Sequence, residues 1–360
     1  MHGDPQALTG ARAHSTMSFP AEADRRLVEL LRGLPEVPRG VSEPVEELFT
    51  RAEVHGLAGV LSDAWRAAGH SLPGALEAEL HARAAARELD HAARLALLAR
   101  IGAALGAAEV PAVSLKGPLF AERFYARPAA RGTSDVDLLV EEARLEDARR
   151  ALSAVGYRSG DAARDGEARR EHHHIVLTHP SAPPLELHFC AYVGFGERLA
   201  SEPLIARAQT AGPRFADIRT LSAPDELVYL AVHAAAHRFG RLAWLHDLRL
   251  LLATMTERET ELAAVRAREH GYARPLALAA ALLVDVFGVP RGRVATLGSL
   301  DRLRAPLVRA FVGEPRPALL RSATRFAYTV LLGQSAASSL RYARSASLRH
   351  ASSLLPRRRR

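Results

Sequence analysis

The chain contains a single cysteine and a single lysine, and few of its residues are aromatic. A lone Cys190 cannot form an internal disulfide, which argues against a disulfide-stabilised secreted fold and favours a reducing compartment. Aromatic residues make up 6% of the chain, and they are not interleaved with basic residues in the way that stacks on nucleobases. We therefore do not expect nucleic acid to be the main ligand.

Long apolar runs are also missing. The longest, PLALAAALLVDVFGVP at 275–290, is shorter than the roughly 20 residues that a helix needs to cross a bilayer, and it contains Asp285. Residues 1–20 lack the continuous apolar segment of a secretory signal. These absences predict a cytoplasmic protein without a transmembrane segment.

The net charge of +8 is concentrated at one end of the chain. Half of it comes from the four consecutive arginines at 357–360, which follow the sequence SSLLP. Such a run is typical of a disordered basic tail, here 351–360, that touches anionic surfaces weakly or has no specific partner.

The remaining pattern divides the chain into helical and strand-rich regions. Alanine, leucine and arginine dominate, and apolar residues recur at three and four positions in most segments, which is the helical spacing. We predict an α+β fold in which a small mixed β-sheet core is flanked by N-terminal and C-terminal helical regions. The expected boundaries are a flexible N-terminus at 1–20, helices at 21–109, the core at 110–215, helices at 216–350, and the tail.

Four strands are predicted within the core. VPAVSLK is a short apolar run that ends at Gly117-Pro118, which indicates a buried strand running into a helix. GTSDVDLLV is the second strand, and the segment after it, ARLEDARRALSAVGY, is an amphipathic helix. HHHIVLTH and LELHFCA are joined by PSAPP, which predicts a hairpin.

The only lysine, Lys116, stands at the end of the first predicted strand. Lysine carries a compact point charge on a flexible stem, whereas arginine is a planar fork, so a phosphate site that needs the point charge cannot exchange them freely. The alternative is that one lysine remained by chance in an arginine-rich chain.

Two acids occupy one side of the second strand. Asp135 and Asp137 are two residues apart, so their carboxylates project from the same face while Val136 and Leu138 point into the core. Adjacent carboxylates repel each other unless a cation lies between them, and Mg²⁺ prefers oxygen ligands. The alternative is a solvated pair of acids at the start of a strand.

A third acid is found in LELHF. Its apolar residues alternate with Glu186 and His188, so one face of this strand is apolar and the other polar. If the strand pairs beside the DVD strand, Glu186 completes a cluster of three carboxylates, and His188 lies one step along on the same face.

Two groups of histidines permit more than one interpretation. His233 and His237 are four residues apart on one helix face, a spacing that can bind zinc, and His246 follows; packing against the core is the other interpretation. In the run of three histidines, alternation puts His172 and His174 on one face and His173 on the other. They would line an acceptor pocket or form a loose metal-binding tract.

Taken in order, these segments resemble the uncharacterised nucleotidyltransferase family within the DNA polymerase β superfamily. The resemblance runs from Glu53 to Leu252. The motifs that carry it are LKG, Tyr125, Arg131, DVDLLV, Gly156-Tyr157, HHH with LELHF, and HAAAHRFGRLAWLHDL. The family implies a core in which a glycine near a helix start holds nucleotide phosphates and three acids hold two Mg²⁺ ions.

The resemblance assigns roles to particular residues. Gly117 matches the phosphate-binding glycine, and the acids that match the metal ligands are Asp135, Asp137 and Glu186. Lys116 and Arg131 would offset phosphate charge, with Ser134 beside them in the nucleotide site. His188 would accept a proton or orient Glu186.

Three departures from the family pattern bear on the nucleotide geometry more than on the metal site. No serine follows Gly117, the stretch from Gly117 to Asp135 is longer than in minimal members, and the third acid is Glu where Asp is common.

The implied function is Mg²⁺-dependent transfer of a nucleoside monophosphate from an NTP, taken to be ATP, to a hydroxyl or similar group on an unidentified small-molecule or peptide acceptor. One alternative, left open by the missing serine, is a non-catalytic binding or scaffold protein of a biosynthetic operon. Another is a glycosyltransferase that uses its D-x-D to hold a sugar nucleotide, although this reaction would require neither Lys116-Gly117 nor Glu186.

Overall fold

The computed structural model describes residues 22–33, 45–159, 172–300, 312 and 318–343. It is 63% helical and contains a seven-stranded mixed sheet and a small two-stranded sheet, which confirms the predicted α+β class. The expected flexible N-terminus at 1–20 and the basic tail at 351–360 lie outside the described residues. Within the described ranges, no helix combines the length and apolar character needed to span a bilayer.

In the part of the chain that the structure describes, four helices precede the sheet: α1 (Glu22–Arg32), α2 (Val45–Val54), α3 (Ala58–Ala67) and α4 (Gly74–Ala107). Helix α4 is the longest, and its buried residues Leu95, Leu98, Ile101 and Leu105 recur at three and four positions. This apolar stripe covers one face of the sheet.

The large sheet is built from strands of two to five residues. They are β1 (Ala112–Ser114), β2 (Val136–Leu139), β3 (Arg158–Ser159), β4 (His174–Thr178), β5 (Leu185–His188), β8 (Gln209–Thr210) and β9 (Ile218–Thr220), in the spatial order β3-β4-β5-β2-β1-β9-β8. β2 pairs parallel with β5 and antiparallel with β1. β4 and β5 form the predicted hairpin around PSAPP. β6 (Cys190–Gly194) and β7 (Glu197–Ala200) form the small sheet.

The sequence predicts that the core ends at residue 215, but strand β9 lies beyond this boundary. It pairs parallel with β1, so the sheet extends to Thr220 before the helices resume. A strand of three residues offers too little periodicity to be separated from the surrounding loop in the sequence.

Of the remaining helices, two lie between strands of the core and the others follow β7. Within the described ranges they are α5 (Pro118–Phe124) and α6 (Leu145–Ala154) inside the core, then α7 (Glu202–Ala206), α8 (Ala223–Ala236), α9 (Leu242–Thr254), α10 (Glu257–Glu269), α11 (Ala273–Phe287), α12 (Arg291–Val294) and α13 (Ala318–Leu332), followed by helical residues 336–343. Helix α8 is buried on nearly every side because α9, α10 and α11 all pack against it.

The two faces of the sheet belong to different apolar clusters. Val136 and Leu138 of β2 pack with α4 and α6 on one side. Leu139 and Val113 join the cluster that contains the N-terminal and C-terminal helices on the other. Asp137 alternates with Val136 and Leu138, so its side chain lies on the face toward the C-terminal helices.

The N-terminal helices contact the loop that leads to β2 without an intervening side chain. Gly59 of α3 packs on the backbone of a short 3-10 turn, Pro128–Ala130, and a Cβ added at Gly59 would lie 2.6 Å from the carbonyl oxygen of Ala130. A close approach of this kind requires glycine.

We expect Gly59→Ala to destabilise the protein by about 1–3 kcal/mol, because the added methyl group must displace backbone atoms. Gly74→Ala is the matched control, since Gly74 has no neighbour within 4 Å of the added Cβ. Urea unfolding of both variants measures the difference. Equal stabilities for the two variants would contradict the close packing of α3 on this turn.

Candidate functional site

Lys116 and Gly117 form the turn between β1 and α5. Gly117 has φ +82° and ψ −141°, a conformation that residues with a Cβ rarely adopt. Ser114 donates a hydrogen bond from Oγ to the carbonyl oxygen of Lys116 (3.0 Å), and Pro118 occupies the first position of α5. The turn is therefore fixed on both sides.

The Lys116 ammonium lies between the two aspartates. Its Nζ is 3.2 Å from Oδ2 of Asp137 and 3.8 Å from Oδ2 of Asp135. Burial lowers the pKa of Lys116, but attraction to Asp137 and then Asp135 outweighs it, and the net pKa is raised. The lysine therefore stays charged and offsets part of the negative charge on this face of the sheet.

Glu186 lies beside Asp137 on the neighbouring strand. The parallel register of β2 and β5 places the two residues opposite each other, so the strand pairing that the predicted cluster requires is present. Nε2 of His188 is 3.3 Å from Oδ1 of Asp137 and 3.5 Å from Oε2 of Glu186. His188 thus bridges the two acids from the same face.

The acids and the imidazole perturb one another. The hydrogen bond from His188 lowers the pKa of Glu186. Burial lowers the pKa of His188, but its hydrogen bonds to Asp137 and Glu186 outweigh burial and raise the pKa overall. Three carboxylates therefore surround the single ammonium of Lys116, and the His188 ring is hydrogen-bonded between two of them.

Asp137, Glu186 and His188 are the residues that converge most closely. One ligand atom of each lies within 4.8 Å of the others, whereas Asp135 stands outside this trio and contacts it through Lys116. Asp135 precedes β2, so its position is not fixed by the strand register. Asp137 Oδ2 is buried and has no hydrogen bond of regular geometry among the described residues. Such oxygen donors fit a hard divalent cation.

A cavity opens beside these acids, between the loop before β2 and the C-terminal helices. The residues that line it are Lys116, Gly117, Arg131, Gly132, Thr133, Ser134, Asp135, Leu230, His233, Arg241, Trp244 and Asp247. All four residues that the resemblance assigns to nucleotide binding are among them. Ser134 is exposed and donates from Oγ to Oδ1 of Asp135 (3.1 Å). Arg241, Trp244 and Leu230, which carried no prediction, form the opposite wall.

Arg131 is held by a buried carboxylate from α9. Its Nε donates to Oδ1 of Asp247 (2.9 Å) and its Nη2 to Oδ2 (2.8 Å), while the Tyr125 hydroxyl donates to the same Oδ1 (2.6 Å). The side chains of Arg131 and Asp247 are 10% and 2% exposed. Because both edges of the carboxylate are occupied, this pair fastens the loop before β2 to the C-terminal helices. The sequence analysis singled out Arg131 and the segment that contains Asp247, but it did not predict the salt bridge between them.

The histidines of α8 and α9 pack with aromatic rings. The rings of His233 and His237 are 4.8 Å apart and both contact Trp244, while His246 contacts Tyr125 and Phe287. In the described ranges none of the three belongs to a group of three potential metal ligands. The packing interpretation is therefore favoured over zinc binding.

The expected position of His173 is wrong. Alternation put it on the face opposite His174, but β4 begins at His174, and the His173 carbonyl accepts hydrogen bonds from the N–H groups of both Phe189 and Cys190 (3.1 and 3.3 Å). This irregular pairing releases His173 from the alternation. Its ring lies 4.8 Å from that of His174 and 5.4 Å from that of His188.

Comparison with known families identifies the chain. The model of a family described as uncharacterised nucleotidyltransferases matches residues 42–288, which include the whole large sheet, the cavity and the acids, and the chain belongs to this family. The match contains the span from Glu53 to Leu252 over which the resemblance was recognised. No protein of curated function matches the sequence.

We expect Asp247→Asn to lower the free energy of unfolding by about 3–5 kcal/mol, because it leaves the Arg131 guanidinium buried without a counter-charge. Denaturant unfolding at neutral pH measures the loss.

The matched control is Asp63→Asn, since Asp63 pairs with Arg127 (2.7 Å) where both side chains are about one third exposed. Such a pair contributes only about 0–1 kcal/mol. A loss for Asp247→Asn as small as that of the control would contradict the role of the buried pair.

Proposed function

We propose that this nucleotidyltransferase moves a nucleoside monophosphate from an NTP, in the first place ATP, to a hydroxyl or similar group of a small molecule or peptide, with Mg²⁺ as cofactor. The observation that carries the proposal is the placement of Asp137 opposite Glu186 beside a cavity lined by Lys116, Gly117 and Asp135. A divalent cation and a triphosphate fit such a combination of oxygen ligands and fixed positive charge. Membership of the DNA polymerase β superfamily is part of the same proposal.

Asp137 and Glu186, with Asp135 beside them, would hold the magnesium. When bound, Mg²⁺ supplies charge neutralisation for the triphosphate and activation of the acceptor oxygen. His188 is suited to orienting the two acids rather than to accepting a proton, because its Nε2–H is shared between Asp137 and Glu186.

Lys116 would change partners when nucleotide binds. Its ammonium is within ion-pair distance of Asp137 and also lines the cavity, so a short movement of its flexible stem can carry the charge from the carboxylates to a phosphate. Asp247 already holds Arg131 through Nε and Nη2, and Nη1 points at the Gly117 carbonyl oxygen (3.5 Å), so we assign Arg131 to positioning the loop rather than to direct phosphate contact.

The far wall of the cavity is suited to a nucleobase. Trp244 and His233 present aromatic rings there, and the Arg241 guanidinium lies 5.9 Å from the centre of the Trp244 ring. Aromatic rings stack on any base, so this wall supports nucleotide binding without selecting which NTP is used.

A scaffold role is the second candidate, and Lys116 is the observation that favours it. A lysine that already neutralises Asp137 and Asp135 can serve as a permanent replacement for a metal ion. The two functions therefore differ in whether a divalent cation and nucleotide displace the lysine.

Asp135→Asn separates the two. Asp135 is partly exposed and 3.8 Å from Lys116, so its loss should change the stability of the unliganded protein little. We expect Mg²⁺ with ATP to stabilise the wild type by about 2.7 kcal/mol at one hundred times the dissociation constant, and to stabilise the variant much less. Thermal unfolding of both proteins, with and without Mg²⁺ and each NTP, measures this.

Asp217→Asn is the control for the removal of one negative charge, because Asp217 is exposed, does not line the cavity, and lies beside the end of β1 opposite Lys116. It should respond to Mg²⁺ and ATP like the wild type. A wild type that responds to no NTP, or an equal response from Asp135→Asn, would refute the nucleotidyltransferase activity and favour the scaffold.

A further inference from the structure

A second group of possible metal ligands lies next to the acids and consists only of imidazoles. One ring nitrogen from each of His173, His174 and His188 lies within 4.8 Å of the others. The register of β4 and β5 places His174 opposite His188, and the irregular pairing of the His173 carbonyl with Phe189 brings the third ring to the same place. The strand pairing itself therefore assembles the group.

Two of these rings carry buried nitrogens that lack partners among the residues that the structure describes. The side chain of His188 is 3% exposed, and while its Nε2 faces Asp137 and Glu186, its Nδ1 makes no hydrogen bond. Nδ1 of His174 is also buried without a partner. An unsatisfied buried polar atom costs on the order of 1–3 kcal/mol, so a ligand for these nitrogens would relieve a real penalty.

We propose that His173, His174 and His188 form a site for one divalent transition-metal ion, with zinc as the first choice, distinct from the carboxylate site for magnesium. Imidazole nitrogen favours zinc and its neighbours in the first transition row, whereas carboxylate oxygen favours magnesium. This inference does not depend on the proposed nucleotidyl transfer.

The acids take the supporting position that metal-binding histidines usually require. A histidine that binds a metal through one ring nitrogen commonly donates the N–H of the other to a carboxylate, which fixes the tautomer and the ring orientation. Asp137 and Glu186 accept in this way from Nε2 of His188, which leaves Nδ1 as the nitrogen available to a metal.

The distances fit a site that closes around its ion. Tetrahedral zinc bonds of about 2.0–2.1 Å hold ligand nitrogens roughly 3.4 Å apart, so nitrogens up to 4.8 Å apart must approach by on the order of 1 Å. His173 and His174 are only partly buried, and rotation of their rings can supply this movement. Three protein ligands leave a fourth position for water or substrate.

The test uses the full chain without a polyhistidine tag, stripped of metals with EDTA. Calorimetric titration with Zn²⁺ should show one tight equivalent that millimolar Mg²⁺ does not displace, and Co²⁺ should give the visible absorption of a tetrahedral site. His173→Ala and His174→Gln should each weaken Zn²⁺ binding by more than about 10-fold. Metal-free thermal unfolding confirms that each variant is folded. If His173→Ala does not fold, the Zn²⁺ affinity of His174→Gln decides the test.

His172→Ala is the matched control, since His172 is the adjacent exposed histidine and stands outside the group. It should bind Zn²⁺ like the wild type, and so should Asp135→Asn, which separates failure of this site from failure of the magnesium site. The proposal is overturned if the wild type takes up no stoichiometric Zn²⁺, if His172→Ala and His173→Ala bind it equally, or if Mg²⁺ displaces it at comparable concentration.

Discussion

The buried carboxylate of Asp137 constrains the whole centre of the sheet. Its side chain is 1% exposed, and a charge removed from water to this extent costs several kcal/mol unless opposite charge lies beside it. Lys116 supplies that charge from the end of β1, and His188 contributes a hydrogen bond from β5; β1 and β5 are the two strands that flank β2. The strand order β5-β2-β1 therefore supplies polar partners for the Asp137 carboxylate as well as burying the apolar side chains. The site forms together with the sheet.

A second buried charge pair determines where the cavity lies. The salt bridge between Arg131 and Asp247 joins the loop before β2 to α9, and the Tyr125 hydroxyl from the end of α5 completes it. Through this contact the C-terminal helices cover one side of the loop and contribute the aromatic wall that contains Trp244. The helical region thus belongs to the site, although the acids come only from the sheet.

The features that the sequence predicted correctly depend on local periodicity. Alternation in DVDLL and LELHF predicted which side chains share a face, and the register then placed Asp137 beside Glu186. The Lys116-Gly117 pair at the end of the first predicted strand indicated the turn before α5. Gly117 has a positive φ in this turn, a conformation that glycine adopts easily.

The features that the sequence did not predict depend on contacts between distant segments or on irregular backbone. Arg131 and Asp247 are 116 residues apart, and nothing in either segment indicates the other. The Lys116 ammonium points toward the acids rather than toward an open phosphate site. It does so because the deeply buried Asp137 carboxylate needs a positive charge beside it. His173 left the predicted alternation because its carbonyl pairs with two successive N–H groups, and no residue pattern marks such a site.

The central claim is that a divalent cation and a nucleotide displace Lys116 from the acids. Its most direct test is a crystal structure of the wild-type chain soaked with Mn²⁺ and a non-hydrolysable ATP analogue, with the metal located by anomalous scattering. The account predicts an anomalous peak within ligand distance of the Asp137 and Glu186 carboxylates, with the triphosphate in the cavity and Nζ of Lys116 moved from Asp137 to a phosphate oxygen. A nucleotide bound elsewhere, or Lys116 still paired with Asp137 and no metal at the acids, would contradict it.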